Sequence, residues 1–175
     1  MDTKNNNIKM LAFSAVFAAL ITVTTAFVKI PAPLGYIHAG DSMIFLAAAV
    51  LPPPFSFMSA SVGGALADLL AGYAVWAIPT AIIKSLNVLP FVIVKIILNK
   101  KNKPYHLVSL PVMLAVVFSV AVTVTGYFFA NWILYDQAAA WAEVPFNLVQ
   151  SFAGAGLFVV AALALRALRY ERWIK

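Results

Sequence analysis

The residues best able to do chemistry lie in one unusually apolar stretch, residues 35–87. It carries two carboxylates, Asp41 and Asp68, the ammonium group of Lys84 and the imidazole of His38. Carboxylate, imidazole and ammonium groups can exchange protons, pair with one another or bind a polar ligand. A charge at the centre of a bilayer costs about 2.5–3.5 kcal/mol on insertion scales, so charges in an apolar stretch need a partner or a function. These side chains are therefore the first candidates for a functional site.

The elements that position them belong to a membrane protein. The chain has 175 residues, of which 63% are hydrophobic and only 10% charged, with a mean hydropathy of +0.94. A soluble domain has about 25% charged residues. Apolar runs near the ~18–20 residues that cross a bilayer recur along the chain, and the short alternating segments of a membrane β-barrel are absent. We predict a single all-α integral membrane domain over residues 1–175.

Several kinds of chemistry are excluded by what the chain lacks. It has no cysteine, and His38 and His106 are its only histidines, so we expect no metal and no cofactor. No Walker A loop, His-Glu-x-x-His or Gly-x-Ser-x-Gly pattern occurs. The net charge is +6, but the basic residues sit at segment ends, where they anchor membrane helices, and no nucleic acid partner is expected. We therefore predict that the protein is not an enzyme and that it has no ATP site of its own.

The apolar pattern predicts six transmembrane helices, at about residues 8–28, 42–51, 55–71, 75–98, 107–134 and 144–168. Residues 29–41 are predicted to form an outer loop. Pro52 to Pro54 are predicted to end the second helix, because proline lacks a backbone donor. The second helix is too short for a core of ~30 Å, and merging it with the third would give five spans. Six spans with both termini in the cytoplasm place nearly all lysine and arginine inside, so the positive-inside rule favours that topology.

This topology places the membrane charges in the outer leaflet. At 1.5 Å per residue, Asp68 lies about 6 Å below the outer turn and Lys84 about 12–15 Å below it. A lysine side chain can extend back toward the surface, so we expect Lys84 to pair with Asp68. Asp41 precedes an apolar helix and is expected either to cap it or to contact a ligand.

The candidate substrate contacts form a polar cup that opens to the outer face. Some of them share one face of the sixth helix at spacings of i, i+4 and i+7, and the aromatic ones either anchor the membrane surface or stack on a flat ligand. The inner half of the bundle has too few polar residues for a channel. The candidates are His38, Asp41, Asp68, Tyr73, Trp76, Lys84, Asn87, Asn131, Glu143, Asn147 and Gln150.

Stripes of small residues mark a second candidate surface. Ala15 and Ala19 lie four residues apart in the first helix, and Ser59, Gly63 and Ala67 repeat that spacing in the third. Small residues let membrane helices approach closely. The stripes either pack inside the monomer or dock another membrane subunit.

Four segments of the chain resemble the substrate-binding S components of energy-coupling factor (ECF) vitamin transporters, in particular the riboflavin-type group. They are AVFAAL (15–20), GYIHAGD (35–41), ALADLLAGY (65–73) and WxxPTxIIK (76–84). The resemblance covers residues 12–87 well, whereas the last two helices match only in hydropathy and length.

The resemblance implies a six-helix subunit in the cell membrane that captures a vitamin at the outer face. It also implies association with a transmembrane coupling subunit and two cytoplasmic ATPase subunits, with Ala15 and Ala19 packed against the coupling subunit. Residues 29–41 would cover the pocket. The short chain and its modest polar groups favour a small ring vitamin, pyridoxine or the hydroxymethylpyrimidine precursor of thiamine, with riboflavin as a further candidate.

Two other functions stay open at this point. The small-residue stripes alone are compatible with a ligand-free structural or assembly subunit. Asp68 in the membrane is compatible with a transporter that works alone and couples to protons or sodium. Vitamin binding by the purified protein separates the S component from the first alternative, and uptake without an ATPase separates it from the second.

Overall fold

The computed structural model describes residues 3–32, 35–102 and 104–168, which form a helical bundle with one small hairpin. The elements are α1 (Thr3–Ala26), β1 (Lys29–Ala32), β2 (Gly35–His38), α2 (Gly40–Val50), α3 (Pro53–Ala71), a 3-10 turn (Ala74–Trp76), α4 (Ala77–Leu86), α5 (Leu89–Lys100), α6 (Leu110–Leu134) and α7 (Gln137–Ala167).

Five stretches of the described chain are long and apolar enough to cross a membrane, and α4 and α5 together make one of them. The remaining helix, α2, has 11 residues, about 16 Å at 1.5 Å per residue. The all-helical character is confirmed, whereas six spans with both termini in the cytoplasm stay a prediction. Residues 169–175, a basic tail that enters the charge argument, lie outside the described residues.

The predicted outer loop at residues 29–41 instead contains two antiparallel strands, residues 29–32 and 35–38, and its last two residues begin α2. Strands β1 and β2 pair with Lys29 opposite His38 and Ile30 opposite Ile37, and the Ala39 N–H closes the hairpin onto the Val28 carbonyl at 3.2 Å. Pro31 in a four-residue strand made the segment look like a loop, because proline is confined to edge strands and strand ends. The hairpin puts Tyr36 and His38 on one face, since alternate strand residues share a side.

The predicted fourth helix, residues 75–98, is broken into a 3-10 turn, α4 and α5. The break falls at Asn87 and Val88. Pro90, in the first turn of α5, has no N–H for the carbonyl of Leu86, so the α-helical ladder cannot continue through this point. The predicted sixth helix also differs, because α7 begins at Gln137, where the Asp136 carboxylate accepts a bond from the Ala139 N–H at 2.7 Å.

Helices α1 and α3 pack closely through the small residues of α3. The hydroxyls of Ser14 and Ser59 lie 2.9 Å apart, and a Cβ on Gly63 would come within 2.8 Å of the Ala18 carbonyl oxygen. Ser59, Gly63 and Ala67 are all buried. This part of the stripe packs inside the monomer. By contrast, Ala15 and Ala19 on α1 are exposed.

The apolar core is built around α2. Phe45, Phe91 and Phe158 are fully buried and their ring centroids lie 6.0–6.3 Å apart. Lys95 donates to the carbonyl oxygens of Ala48 and Leu51 at 2.8 and 2.7 Å. A cation at a helix C-terminus satisfies free carbonyls and the helix dipole, which explains how a short helix can end inside the bundle.

Candidate substrate-binding site

A cavity of about 60 Å³ lies at the end of the bundle where the hairpin meets the adjoining ends of α3, α4, α6 and α7. Its lining combines aromatic rings with carboxylates and amides. The lining residues are Tyr36, His38, Asp68, Tyr73, Trp76, Thr80, Tyr127, Asn131, Glu143, Asn147 and Gln150.

Most of the predicted substrate contacts meet at this cavity, including the shared face of α7. Those present are His38, Asp68, Tyr73, Trp76, Asn131, Glu143, Asn147 and Gln150. Asp41, Lys84 and Asn87 do not line it. The contact of each lining residue with a substrate stays a prediction.

Asp41 and Lys84 form a buried ion pair beside the cavity. Lys84 Nζ lies 2.5 Å from Asp41 Oδ1, and the two side chains are 1% and 0% exposed. Gln150 Nε2 and Ser151 Oγ donate to Asp41 Oδ2 at 3.3 and 3.4 Å. A Cβ on Gly154 would come within 2.8 Å of Asp41 Cβ, so α7 can approach Asp41 only because residue 154 is glycine. The pair therefore joins α2, α4 and α7.

Two predictions about these charges were wrong. Lys84 pairs with Asp41 and not with Asp68, because the first turn of α2 turns the Asp41 carboxylate inward, within reach of the ammonium group. Asp41 does not cap α2, since the N-cap position is Ala39 and no side chain bonds there. Asp41 lies in the first turn, turned inward and fully buried.

Asp68 has a different environment. The Tyr36 hydroxyl donates to Asp68 Oδ1 at 2.8 Å, and the aspartate is only 6% exposed. Among the described residues, the ion pair is formed by Lys84 and Asp41, and Asp68 forms none with a described lysine or arginine. The neighbouring Thr80 hydroxyl lies 3.1 Å from the Tyr127 hydroxyl. A buried carboxylate thus faces the cavity with the Tyr36 hydroxyl bonded to Oδ1, the Thr80 hydroxyl close by, and Oδ2 without a hydrogen bond among the described residues.

The hairpin presents two neutral hydrogen-bond donors. The Gly40 N–H donates to His38 Nδ1 at 3.1 Å, so the proton of the neutral imidazole lies on Nε2. Burial lowers the pKa of His38 to about 3; nearby Asp41 opposes this shift and Lys84 adds to it. Burial and the charge of Asp68 raise the pKa of Tyr36 above its ordinary value, so its hydroxyl stays protonated.

The aromatic residues divide into two sets. Trp76 is only 7% exposed and packs against Tyr127 and Tyr135, with centroids 5.8 and 6.1 Å away. Trp132 and Trp141 are 46% and 61% exposed, as expected for anchors at a membrane surface. Trp76 therefore belongs to the cavity and not to the outward-facing set.

Asn87 does not line the cavity and instead forms hydrogen bonds with α6. Its side-chain N–H donates to the Thr123 hydroxyl at 2.8 Å, and its backbone carbonyl accepts from the Ser119 hydroxyl at 2.7 Å. These bonds join α6 to the break between α4 and α5, where helical hydrogen bonding is interrupted.

Tyr36, Thr80 and Tyr127 line the cavity, but they were missing from the predicted set. Two had a usable signal, because Thr80 lies one helical turn before Lys84 and Tyr127 one turn before Asn131, so each shares a face with a predicted residue. Tyr36 was hidden by the assignment of its strand to a loop.

The charge of the lining sets what it can bind. It contains two acidic residues, Asp68 and Glu143, and no lysine or arginine within the described parts of the chain. Lys29 Nζ lies 4.6 Å from the centre of the Tyr36 ring but does not line the cavity. Acidic groups among aromatic faces suit neutral or cationic ligands and disfavour anions.

Known proteins resemble this chain in sequence and in fold. A protein of Pyrococcus woesei described as "Uncharacterized protein in gap 3'region" is 36% identical over 136 residues, covering 77% of this chain and 86% of that protein. A solved structure described as "Structure and mechanism of the S component of a bacterial ECF transporter" superposes with a TM-score of 0.72 at 18% identity, covering 93% of this chain and 98% of the other. At this identity the superposition shows the fold alone.

The family assignment comes from a sequence profile. The profile described as "ECF-type riboflavin transporter, S component" matches residues 5–167, which include every residue of the cavity lining. The chain therefore belongs to this family of S components, membrane-embedded subunits that capture a substrate for transport and are not enzymes.

Proposed function

We propose that this S component captures an uncharged or cationic ring vitamin in the cavity described above. Pyridoxine and hydroxymethylpyrimidine are the favoured substrates, and riboflavin is the further candidate. The observation that carries the proposal is the lining itself, which combines buried acids with aromatic rings and amides.

The aromatic lining supports a flat substrate. Tyr36 and Tyr73 lie with ring centroids 5.1 Å apart, and Trp76 and Tyr127 with centroids 5.8 Å apart. Aromatic side chains offer stacking faces to flat rings and attract positively charged ones. An anionic vitamin would instead face the carboxylates of Asp68 and Glu143 in a site of low dielectric, where repulsion between like charges is strong.

The family name supports riboflavin, whereas the short chain and its modest polar groups favour the smaller vitamins. Pyridoxine and hydroxymethylpyrimidine carry one aromatic ring, and riboflavin carries three fused rings with a polyhydroxyl chain. The proposal therefore specifies a charge class and a ring chemistry, and it ranks the three candidates by size.

Equilibrium binding to the purified protein in detergent tests the proposal. The panel contains pyridoxine, hydroxymethylpyrimidine and riboflavin, each with its phosphate ester as a matched anion. At least one parent vitamin should bind below ~10 µM, which corresponds to about −7 kcal/mol, and its phosphate ester should bind at least about tenfold more weakly. Absence of binding below that limit, or a preference for the esters, would exclude the proposal.

The family also implies association with a membrane coupling subunit and ATPase subunits. We propose that Ala15 and Ala19, exposed on α1, contribute to that interface, because small residues permit close helix contact. Ala15→Trp and Ala19→Trp should abolish co-purification with the other subunits and leave vitamin binding unchanged. Val160→Trp, at an exposed position of α7, is the matched control. Retained association in both alanine variants would place the interface elsewhere.

A further inference from the structure

Three residues of the lining carry a buried polar atom without a hydrogen-bond partner. Among the described residues, no hydrogen-bond partner is found for Asp68 Oδ2, Trp76 Nε1 or Asn131 Oδ1. Thr25 Oγ1 and Asn87 Oδ1 share the property but do not line the cavity. Because buried polar groups are bonded in the great majority of cases, three such atoms around one cavity indicate a ligand that completes them.

The chemistry of these atoms defines the complement. The carboxylate oxygen of Asp68 and the amide oxygen of Asn131 accept hydrogen bonds, whereas the indole N–H of Trp76 donates one. Asp68 is the strongest of the three, since a bond to an ionised group is roughly twice as strong as a neutral one. Tyr36 occupies Oδ1 at 2.8 Å, which holds the carboxylate in place and leaves Oδ2 for the ligand.

Resting on the function proposed above, we infer that Asp68 binds the substrate directly through an N–H donor. The substrate class is a nitrogen heterocycle with a protonatable ring nitrogen or an amino group beside one. Asn131 accepts from a second donor of the same molecule, and Trp76 donates to a hydroxyl or carbonyl oxygen. A pyridinium or an aminopyrimidine meets these requirements with a basic ring, whereas an isoalloxazine offers only a neutral imide N–H, which forms a weaker hydrogen bond than a charged donor.

The test compares Asp68→Asn with Asp136→Asn. Asparagine keeps an oxygen for the Tyr36 hydroxyl and replaces Oδ2 with an NH₂ donor. Asp136 is exposed and caps α7 through its carboxylate, a position where asparagine is equally favoured. The control therefore removes the same charge near this end of the bundle without changing the cavity.

The probes are 4-amino-5-hydroxymethyl-2-methylpyrimidine, its 4-methoxy analogue, which has no N–H donor, pyridoxine and riboflavin. The wild-type protein should prefer the amino over the methoxy pyrimidine by about 10- to 100-fold, the effect of one charge-assisted hydrogen bond. Asp68→Asn should lose that preference, and Asp136→Asn should keep it within about twofold. Trp76→Phe should weaken binding about 2- to 10-fold, which provides a second test if Asp68→Asn does not fold.

The outcomes separate the two proposals. If no probe binds the wild-type protein, both the proposed function and this inference fail. If the wild-type protein binds a probe and Asp68→Asn binds it equally well, this inference fails and the proposed function stands. A preference for riboflavin over both basic rings would likewise contradict the substrate class while leaving capture of a vitamin intact.

Discussion

Asp41 and Asp68 are both buried carboxylates in this end of the bundle, and their surroundings are opposite. Asp41 is held by Lys84, Gln150 and Ser151, so its charge is neutralised inside the protein. Asp68 accepts one bond, from Tyr36, and the other oxygen is unbonded among the residues described. One carboxylate is built into the packing of three helices, and the other faces a cavity.

The difference separates a structural role from a binding role. A buried ion pair with bonded oxygens fixes how helices meet, and removing one partner leaves a charge that the interior cannot solvate. A buried acceptor without a partner lowers stability and can recover that cost when a ligand arrives. Substitutions at the two regions should therefore change stability in opposite directions.

Lys84→Met should have the largest effect. Methionine removes the ammonium and leaves Asp41 buried without a counter-ion, which should lower the free energy of unfolding by about 3–5 kcal/mol. Thermal or denaturant unfolding in detergent measures the change. The double variant Asp41→Asn with Lys84→Met should recover part of the loss, because no uncompensated charge remains.

Lys100→Met is the matched control for that substitution. Lys100 is exposed at the end of α5, and surface substitutions usually change stability by less than about 0.5 kcal/mol. Equal losses at positions 84 and 100 would show that the ion pair is not what holds α4 to α2.

Gly154→Ala tests the packing that makes the ion pair possible. The new methyl group would lie 2.8 Å from Asp41 Cβ and 3.3 Å from the Ser42 nitrogen, so α7 must move away, at a cost of about 1–3 kcal/mol. Gly156→Ala makes the same change where nothing lies within 4 Å. It should stabilise α7 by about 0.5–1 kcal/mol, since alanine is the better helix former. Unfolding midpoints that shift in the same direction would contradict this account.

The cavity was largely predictable because its α7 face repeats at helical spacing. Glu143, Asn147 and Gln150 share a face whatever the tertiary packing, and the depth of Asp68 follows from its distance to the turn at Gly72. All-helical membrane character follows from composition in the same way. These inferences use only local geometry.

The partner of Lys84 was not predictable in this way. Asp41 and Asp68 are both within reach of a long lysine side chain, and the packing of α2, α4 and α7 decides between them. That packing depends on Gly154, which lies 113 positions from Asp41. The hairpin was missed for a local reason, because Pro31 and two short strands give almost no alternating pattern. Because the strand was not predicted, Tyr36, which donates a hydrogen bond to Asp68, was not predicted as a site residue either.

His38 links the two carboxylate environments, because it lines the cavity with Asp68 and also lies near Asp41. Burial lowers its pKa to about 3, whereas the unfolded chain binds a proton near pH 6.5. Between these values the unfolded state holds more protons, so stability is greatest above about pH 6.5 and falls as the pH decreases through this window. From about pH 7 to about pH 5.5 the contribution of His38 to unfolding free energy should fall by about 1 kcal/mol.

The variant His38→Asn isolates that contribution. An asparagine carbonyl can accept the bond from the Gly40 N–H, and the side chain does not titrate. Unfolding of the two proteins across the same pH range measures the difference between their slopes. Parallel curves would show that His38 protonates as readily in the fold as in the unfolded chain.

Asp68→Asn should have the smallest effect on stability, with the opposite sign to Lys84→Met. Asparagine removes a buried charge that lacks a cationic partner in the described chain, and it can still accept from Tyr36. The ligand-free protein should be unchanged or more stable by up to about 1 kcal/mol. Unfolding of the ligand-free variant measures this, and the same variant should lose most of the stabilisation that bound vitamin gives the wild-type protein. If Asp68→Asn lowers the free energy of unfolding as much as Lys84→Met does, Asp68 supports the fold as Asp41 does. A substitution can reduce binding without reducing stability only where the fold does not need the charge that is removed.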